Sequence, residues 1–104
     1  MSVAIGTGTI KVAIVDDHAV VREGLARVVE ATEGMSVAFV ASGATELLAT
    51  IHELPTDVLV LDFAMPDTEG VELITRLHRE KPRLPILVFT VHAEASVGPS
   101  CIVA

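Results

Sequence analysis

The chain of 104 residues has no tryptophan, no tyrosine and only three phenylalanines. Any core it builds must therefore be aliphatic, assembled from Val, Leu, Ile and Ala. Its single cysteine, Cys101, cannot close an internal disulfide. Basic residues are scarce: seven Lys and Arg stand against fourteen Asp and Glu, a formal charge of -7. Such a balance disfavours a sequence-independent grip on nucleic-acid phosphates and makes cations the natural companions. No apolar run reaches the roughly 20 residues that cross a bilayer, because Asp, Glu or Arg interrupts each one. The opening MSVAIGTGTIK also lacks the basic flank and apolar stretch of a secretory signal. The expectation is a cytoplasmic chain in a reducing setting, with no membrane partner and no direct nucleic-acid binding.

What is present is an apolar half, 51% of the residues, in a length that suits one domain. After a short leader, residues 1–9, the β-branched run IKVAIV (Ile10 to Val15) reads as a strand. The period then changes. Val21, Leu25, Val28 and Val29 recur at helical spacing, predicting a helix over Ala19 to Ala31 with those residues buried and Gly34 just past its end. MSVAFVAS predicts a second strand, and Ala44, Leu47, Leu48 and Ile51 a second helix stopping near Pro55. DVLVLD is the third strand. Val71, Ile74 and Leu77 mark a third helix ending before Pro82, and LPILVFT (Leu84 to Thr90) is the fourth strand. Strands alternating with helices imply right-handed βαβ units and a parallel sheet covered on both faces. Continuous runs such as VLVL, rather than strict alternation, are what doubly buried strands require.

In an open parallel sheet, ligands sit beyond the carboxyl ends of the strands. The first strand ends in Asp16-Asp17, the third in Asp62 and the fourth in Thr90, so three carboxylates and a hydroxyl converge on one edge. Because successive strand side chains point to opposite faces, Asp16 and Asp17 can share the site only if one belongs to the loop. Clustered carboxylates repel unless a cation or hydrogen-bond donors neutralise them. Mg²⁺ suits this supply: it needs one or two carboxylates, keeps several waters and accepts phosphate oxygens. A carboxylate beside Mg²⁺ can attack phosphorus and form an acyl phosphate, and Asp62, at the mouth of a central strand, is the candidate.

At these residues the sequence resembles the receiver domains of two-component response regulators. VDDH (Val15 to His18) looks like the family's acidic pair, DFAMPDTEG (Asp62 to Gly70) like its phosphoacceptor loop, and Thr90 falls where the family has its switch hydroxyl. The resemblance implies a flavodoxin-like doubly wound sheet of strand order 2-1-3-4. It makes Asp62 the phosphorylated aspartate and Asp17 a direct Mg²⁺ ligand. Asp16 ligates directly or through water, and Asp62 and the backbone carbonyl of Ala64 complete the metal set. Met65-Pro66 and Gly70 shape the loop and start the third helix. A histidine kinase is the implied donor. DDHAVVREGL and FTVHAE look most like the subgroup that carries a helix-turn-helix output domain.

The pattern breaks toward the end of the chain. Receiver domains carry a lysine at the end of a fifth strand, with an aromatic switch residue nearby, and this chain shows neither. Its two lysines are Lys11, at the opening of the first strand, and Lys81, after a helix that runs back to that same far end. Lys11 lies some 17 Å, at roughly 3.3 Å per residue, from the strand's carboxyl end. Residues 10–94 therefore read as an incomplete receiver and 95–104 as an atypical tail, with a missing or irregular fifth strand and no fifth helix. Ten residues, Val91 to Ser100, lead into that segment, a borderline length for a parallel crossover. Without a fifth strand, PILVFT would be a bare apolar edge that invites homodimerisation.

Remaining features read as structural. His18 follows the acidic pair and could line the pocket but reads first as a polar helix-start residue, and Arg22, early in the first helix, could lean toward the site but reads first as exposed. His52, His78 and His92 show no metal-ligand spacing, and Cys101 is a small apolar residue. GTGTIK precedes a strand and lacks the full phosphate-loop pattern. Gly70 allows a close helix start. Two alternatives accompany the phosphoacceptor reading: a truncated receiver that folds without signalling, and an aspartyl-phosphate phosphohydrolase. The latter commonly places its nucleophile in a D-x-D arrangement, whereas the acidic pair here is adjacent.

Overall fold

The β-branched runs form strands and the helical repeats form helices in the computed structural model, which describes residues 9–63, 65, 70–90 and, by backbone alone, 100–103. In chain order they are β1 (Ile10–Val15), α1 (Ala19–Ala31), β2 (Met35–Ala41), α2 (Ala44–Thr50), β3 (Val58–Asp62), α3 (Gly70–Glu80), β4 (Ile86–Thr90) and β5 (Ser100–Val103). The sheet order is β2-β1-β3-β4-β5. The first four strands are mutually parallel, which gives the flavodoxin-like order 2-1-3-4. The irregular fifth strand exists and runs antiparallel to β4, from Thr90↔Ser100 to Leu87↔Val103. An antiparallel neighbour needs no crossover to the opposite end of the sheet, so a short connection suffices where a parallel one would be strained. The β4 edge is therefore covered rather than bare.

Strand alternation sends side chains to two cores. Ala13, Val15, Leu59, Leu61, Ile86 and Val88 pack with Leu47 of α2 and Leu73 and Leu77 of α3. On the other face Val12 and Ile14 pack against Val29 of α1, with Leu25 and Ala26 beside them. Two helix faces differ from expectation. Val28 is 64% exposed, as is Val71. A helix turns about 100° per residue, so the buried stripe of α1 centres on Arg22, Leu25, Ala26 and Val29, leaving Val28 on its flank. In α3 the stripe is Gly70, Leu73, Ile74 and Leu77, and Val71 falls outside it. The second helix is also shorter than expected, with a hydrogen-bonded turn through Leu54 carrying the chain on to Pro55. Gly34 takes a positive φ of 86° in the turn before β2, a conformation that glycine adopts without steric cost.

Candidate functional site

Register places the acidic residues. Val15 pairs with Leu61, and Asp62 pairs with Phe89. The residue after Val15 therefore stands level with Asp62. The ladder holds both: the Asp16 N–H donates to the Ala41 carbonyl at 3.1 Å, and the Phe63 N–H to the Phe89 carbonyl at 2.8 Å. Asp16 is 0% exposed and Asp62 3%, the only buried polar or charged side chains among the described residues. Asp17 follows on the loop and is exposed.

His18 departs from its expected role. It is the N-cap of α1, but its side chain makes no capping hydrogen bond. The imidazole instead turns into the acidic pocket, with Nδ1 2.8 Å from Asp16 Oδ1, 3.0 Å from Asp17 Oδ1 and 3.8 Å from Asp62 Oδ2. The backbone sets this up, since the His18 N–H also donates to Asp16 Oδ1 at 2.6 Å. The hydrogen bond to Asp16 and the charges of Asp17, Asp16 and Asp62 hold the His18 pKa above its ordinary 6.5, outweighing a smaller opposing effect of desolvation. Arg22 is likewise not a free surface residue. It is half-buried, and its Nη1 donates to the Asp16 carbonyl at 2.7 Å. The chain order D-D-H carried the signal for His18, because the first protonatable side chain after an acidic pair is the cheapest internal counter-charge.

Asp16, Asp17, His18 and Asp62 each present one donor atom, and these four atoms lie within 4.8 Å of one another. Asp16 Oδ2 is buried with no hydrogen-bond partner among the described residues. An unpaired buried carboxylate oxygen is costly, and a divalent cation would offset that cost, so the residues present fit a metal ion. Thr90 is half-buried at the carboxyl end of β4, one residue beyond the level of Asp62. Ala64, Pro66 and His92 lie outside the described residues, as does the side chain of Cys101. Met65 is buried in the α2/α3 core. Gly70 opens α3 against Phe63: a Cβ there would meet the Phe63 ring at 2.5 Å and its carbonyl oxygen at 2.9 Å. Lys11 opens β1 opposite Ser36, and Lys81 follows α3, so both lie toward the amino edge of the sheet. His52 is exposed and pairs with Glu80.

Comparison with known proteins agrees with this geometry. A family profile described as the response regulator receiver domain matches residues 12–104. A protein-glutamate methylesterase/protein-glutamine glutaminase of Anaeromyxobacter dehalogenans is 41% identical over 98 residues, covering 94% of this chain and 28% of its own length. The response regulator protein VraR of Staphylococcus aureus is 34% identical over 86 residues, covering 83% of this chain and 41% of the relative. RcsB from Salmonella enterica serovar Typhimurium, solved bound to the promoter rprA in the presence of the phosphomimetic BeF3-, superposes with a TM-score of 0.77 at 29% identity. That match covers 86% of this chain and 51% of the other. The chain spans less than half the length of the curated relatives it matches.

Proposed function

Because the chain belongs to the response regulator receiver domain family, we propose that Asp62 is its phosphoacceptor. The observation that carries this is one arrangement: a carboxylate only 3% exposed, delivered by a central strand to the carboxyl edge of the sheet, level with a second buried aspartate. An Asp62 carboxylate oxygen attacks phosphorus in line, the bond to the donor breaks, and an acyl phosphate forms on Asp62. The donor is the phosphohistidine of a histidine kinase, whose imidazole nitrogen leaves and takes a proton. Hydrolysis of the acyl phosphate by water returns the carboxylate. Asp16 and Asp17 would hold Mg²⁺ together with Asp62 and the carbonyl of Ala64. Such an ion would supply screening of the charge between carboxylate and incoming phosphoryl group. The Thr90 hydroxyl acts as the switch that meets a phosphoryl oxygen.

The methylesterase activity in one relative's name belongs to a protein of which this chain spans 28%. For this chain the chemistry is phosphoryl acceptance and loss, without turnover of a separate substrate. No helix among the described residues is long and apolar enough to cross a membrane. With a formal charge of -7, its partners are a cytoplasmic histidine kinase and a second copy of the chain rather than DNA. A dimer formed through a sheet edge would use β2 or β5, since β4 is paired. Both lysines sit at the far edge of the sheet and β5 runs antiparallel, which supports a second reading: phosphoryl acceptance uncoupled from output.

The test is incubation with a small acyl phosphate donor and Mg²⁺, followed by intact mass analysis. A base-labile phosphoryl adduct on the wild type and none on Asp62→Asn supports the proposal, and no adduct on either overturns it. An adduct that leaves the oligomeric state unchanged favours the uncoupled reading.

A further inference from the structure

A cavity that phosphoryl acceptance does not use lies at the opposite end of the molecule, at the amino edge of the sheet. It measures about 540 Å³ and is bordered by two turns, one carrying the end of α2 into β3 and the other carrying α3 into β4. That volume falls among those of small-molecule pockets, roughly 300 to 1,000 Å³. Both walls are hydrogen-bonded in place. In the first, the Leu54 N–H donates to the Thr50 carbonyl at 3.2 Å, the Thr56 hydroxyl to the Leu54 carbonyl at 3.1 Å and the Asp57 N–H to the Lys11 carbonyl at 2.8 Å. In the second, the Leu84 N–H donates to the Lys81 carbonyl at 3.1 Å. A ligand entering such a cavity meets little of the ordering cost that a mobile loop imposes.

The lining combines apolar surface with free positive charge. Ile51 and Leu84 are buried apolar residues, and Leu54, Pro55 and Pro82 add exposed apolar surface around them. Both carboxylates are engaged: Glu80 with Arg76 and His52, each at 2.8 Å, and Asp57 Oδ2 with the Lys11 N–H, also at 2.8 Å. The two cations, Lys81 and Arg83, form no ion pair or side-chain hydrogen bond with any described residue. With Glu80 offset by Arg76, these two cations against Asp57 leave one positive charge, in a chain whose formal charge is -7. Apolar walls beside one uncompensated positive charge complement a monoanion with an apolar body. A carboxylate suits best, because it takes two parallel hydrogen bonds from a guanidinium, whereas a doubly charged phosphate gives up more hydration against apolar walls. We propose that this cavity binds a small amphipathic monocarboxylate, of the class of a medium-chain fatty acid, with its head group on Lys81 and Arg83 and its apolar body against Ile51 and Leu84. The ligand bridges the turns leading into β3 and β4, strands already joined there by the Leu59 N–H on the Pro85 carbonyl at 3.0 Å. Its binding therefore stabilises the folded chain.

The experiment is titration of the isotope-labelled chain with sodium octanoate, read by amide chemical shifts and by thermal scans. The variants are Lys81→Met/Arg83→Met, which keeps the apolar stems, and Arg27→Met, an exposed control on α1, each first checked for native circular dichroism. In the wild type, saturable shifts should be concentrated in residues 51–57 and 80–84, with a higher melting temperature. Hexanoate, two methylenes shorter, should bind about tenfold more weakly. The double variant should lose more than about fivefold in octanoate affinity, and Arg27→Met should lose none. Octylamine, the same apolar chain with the opposite charge, should produce no saturable shifts at these residues. That arm uses the wild type alone, so the proposal is decided even where a variant fails to fold. Absence of saturable octanoate binding, equal binding of octylamine, or an unchanged affinity in the folded double variant overturns it.

Discussion

Asp17 and Gly70 show how much a single residue decides at this site. Asp17 is the exposed member of the carboxylate group, so replacing it disturbs the pocket and not the core. Mg²⁺ that binds only the folded chain should add about 2.7 kcal/mol of stability at a hundredfold excess over the dissociation constant, seen as a higher melting temperature. Asp17→Ala should lose most of that increment in a thermal scan followed by circular dichroism, and a full Mg²⁺ response would remove Asp17 from the metal set. Gly70 lies on the buried stripe of α3 against Phe63, where an added Cβ would come within 2.5 Å of the ring. Gly70→Ala should cost about 1 to 3 kcal/mol in urea unfolding, as overpacked sites do, and combining it with Phe63→Ala should recover part of the loss. At this scale the sequence placed the aspartates on one edge because strand ends are countable. It ranked second the placements that His18 and Arg22 take, because a loop side chain's direction has no period: the imidazole follows the Asp16 hydrogen bond, and the arginine lies on a helix stripe centred one position away from the expected one.

Among the elements, the helix termini carry a pH signature. Glu46, in the first turn of α2, accepts from the Ser42 N–H and hydroxyl, at 2.8 and 3.1 Å, which holds its pKa below the ordinary 4.5. Glu80, at the end of α3, is lowered by its hydrogen bonds to Arg76 and His52. Folded-state values below the unfolded ones mean that this stabilisation is complete above about pH 4.5 and is lost as pH falls through the lowered values. Urea midpoints should accordingly drop between about pH 6 and about pH 3, and drop less in a Glu46→Gln/Glu80→Gln double variant. An equal drop in that variant would show that these two carboxylates do not carry the acid sensitivity. Element identity was legible throughout. IKVAIV and the stretch from Ala19 to Ala31 became β1 and α1 with the expected ends, because β-branching and a sustained 3.6-residue repeat are strong signals. Helix faces were less so: Val28 and Val71 fit the repeat by spacing but sit on the flank of the stripe that the sheet selects.

For the whole molecule, the decisive element is the short β5. Its direction was not legible, since strand propensity says nothing about which way a strand pairs, and connection length alone arbitrates. By running antiparallel to β4 it closes an edge of Leu87, Val88, Phe89 and Thr90 that would otherwise be open to another chain. Removing residues 100–104 should therefore drive self-association, seen as a concentration-dependent increase in mass by light scattering. A strictly monomeric truncated chain would show that β5 does not guard that edge.

The turn that joins β1 to α1 has a kinetic consequence. His18 is exposed, yet its N–H is donated to a carboxylate oxygen of Asp16, a residue that is itself sealed at 0% exposure. That amide should trade its hydrogen for deuterium on the clock of the β1 ladder and not of a surface loop, since water cannot reach it until Asp16 itself comes loose. A single slow amide in an accessible turn would then report, residue by residue and without any label, whether the floor of the pocket is intact.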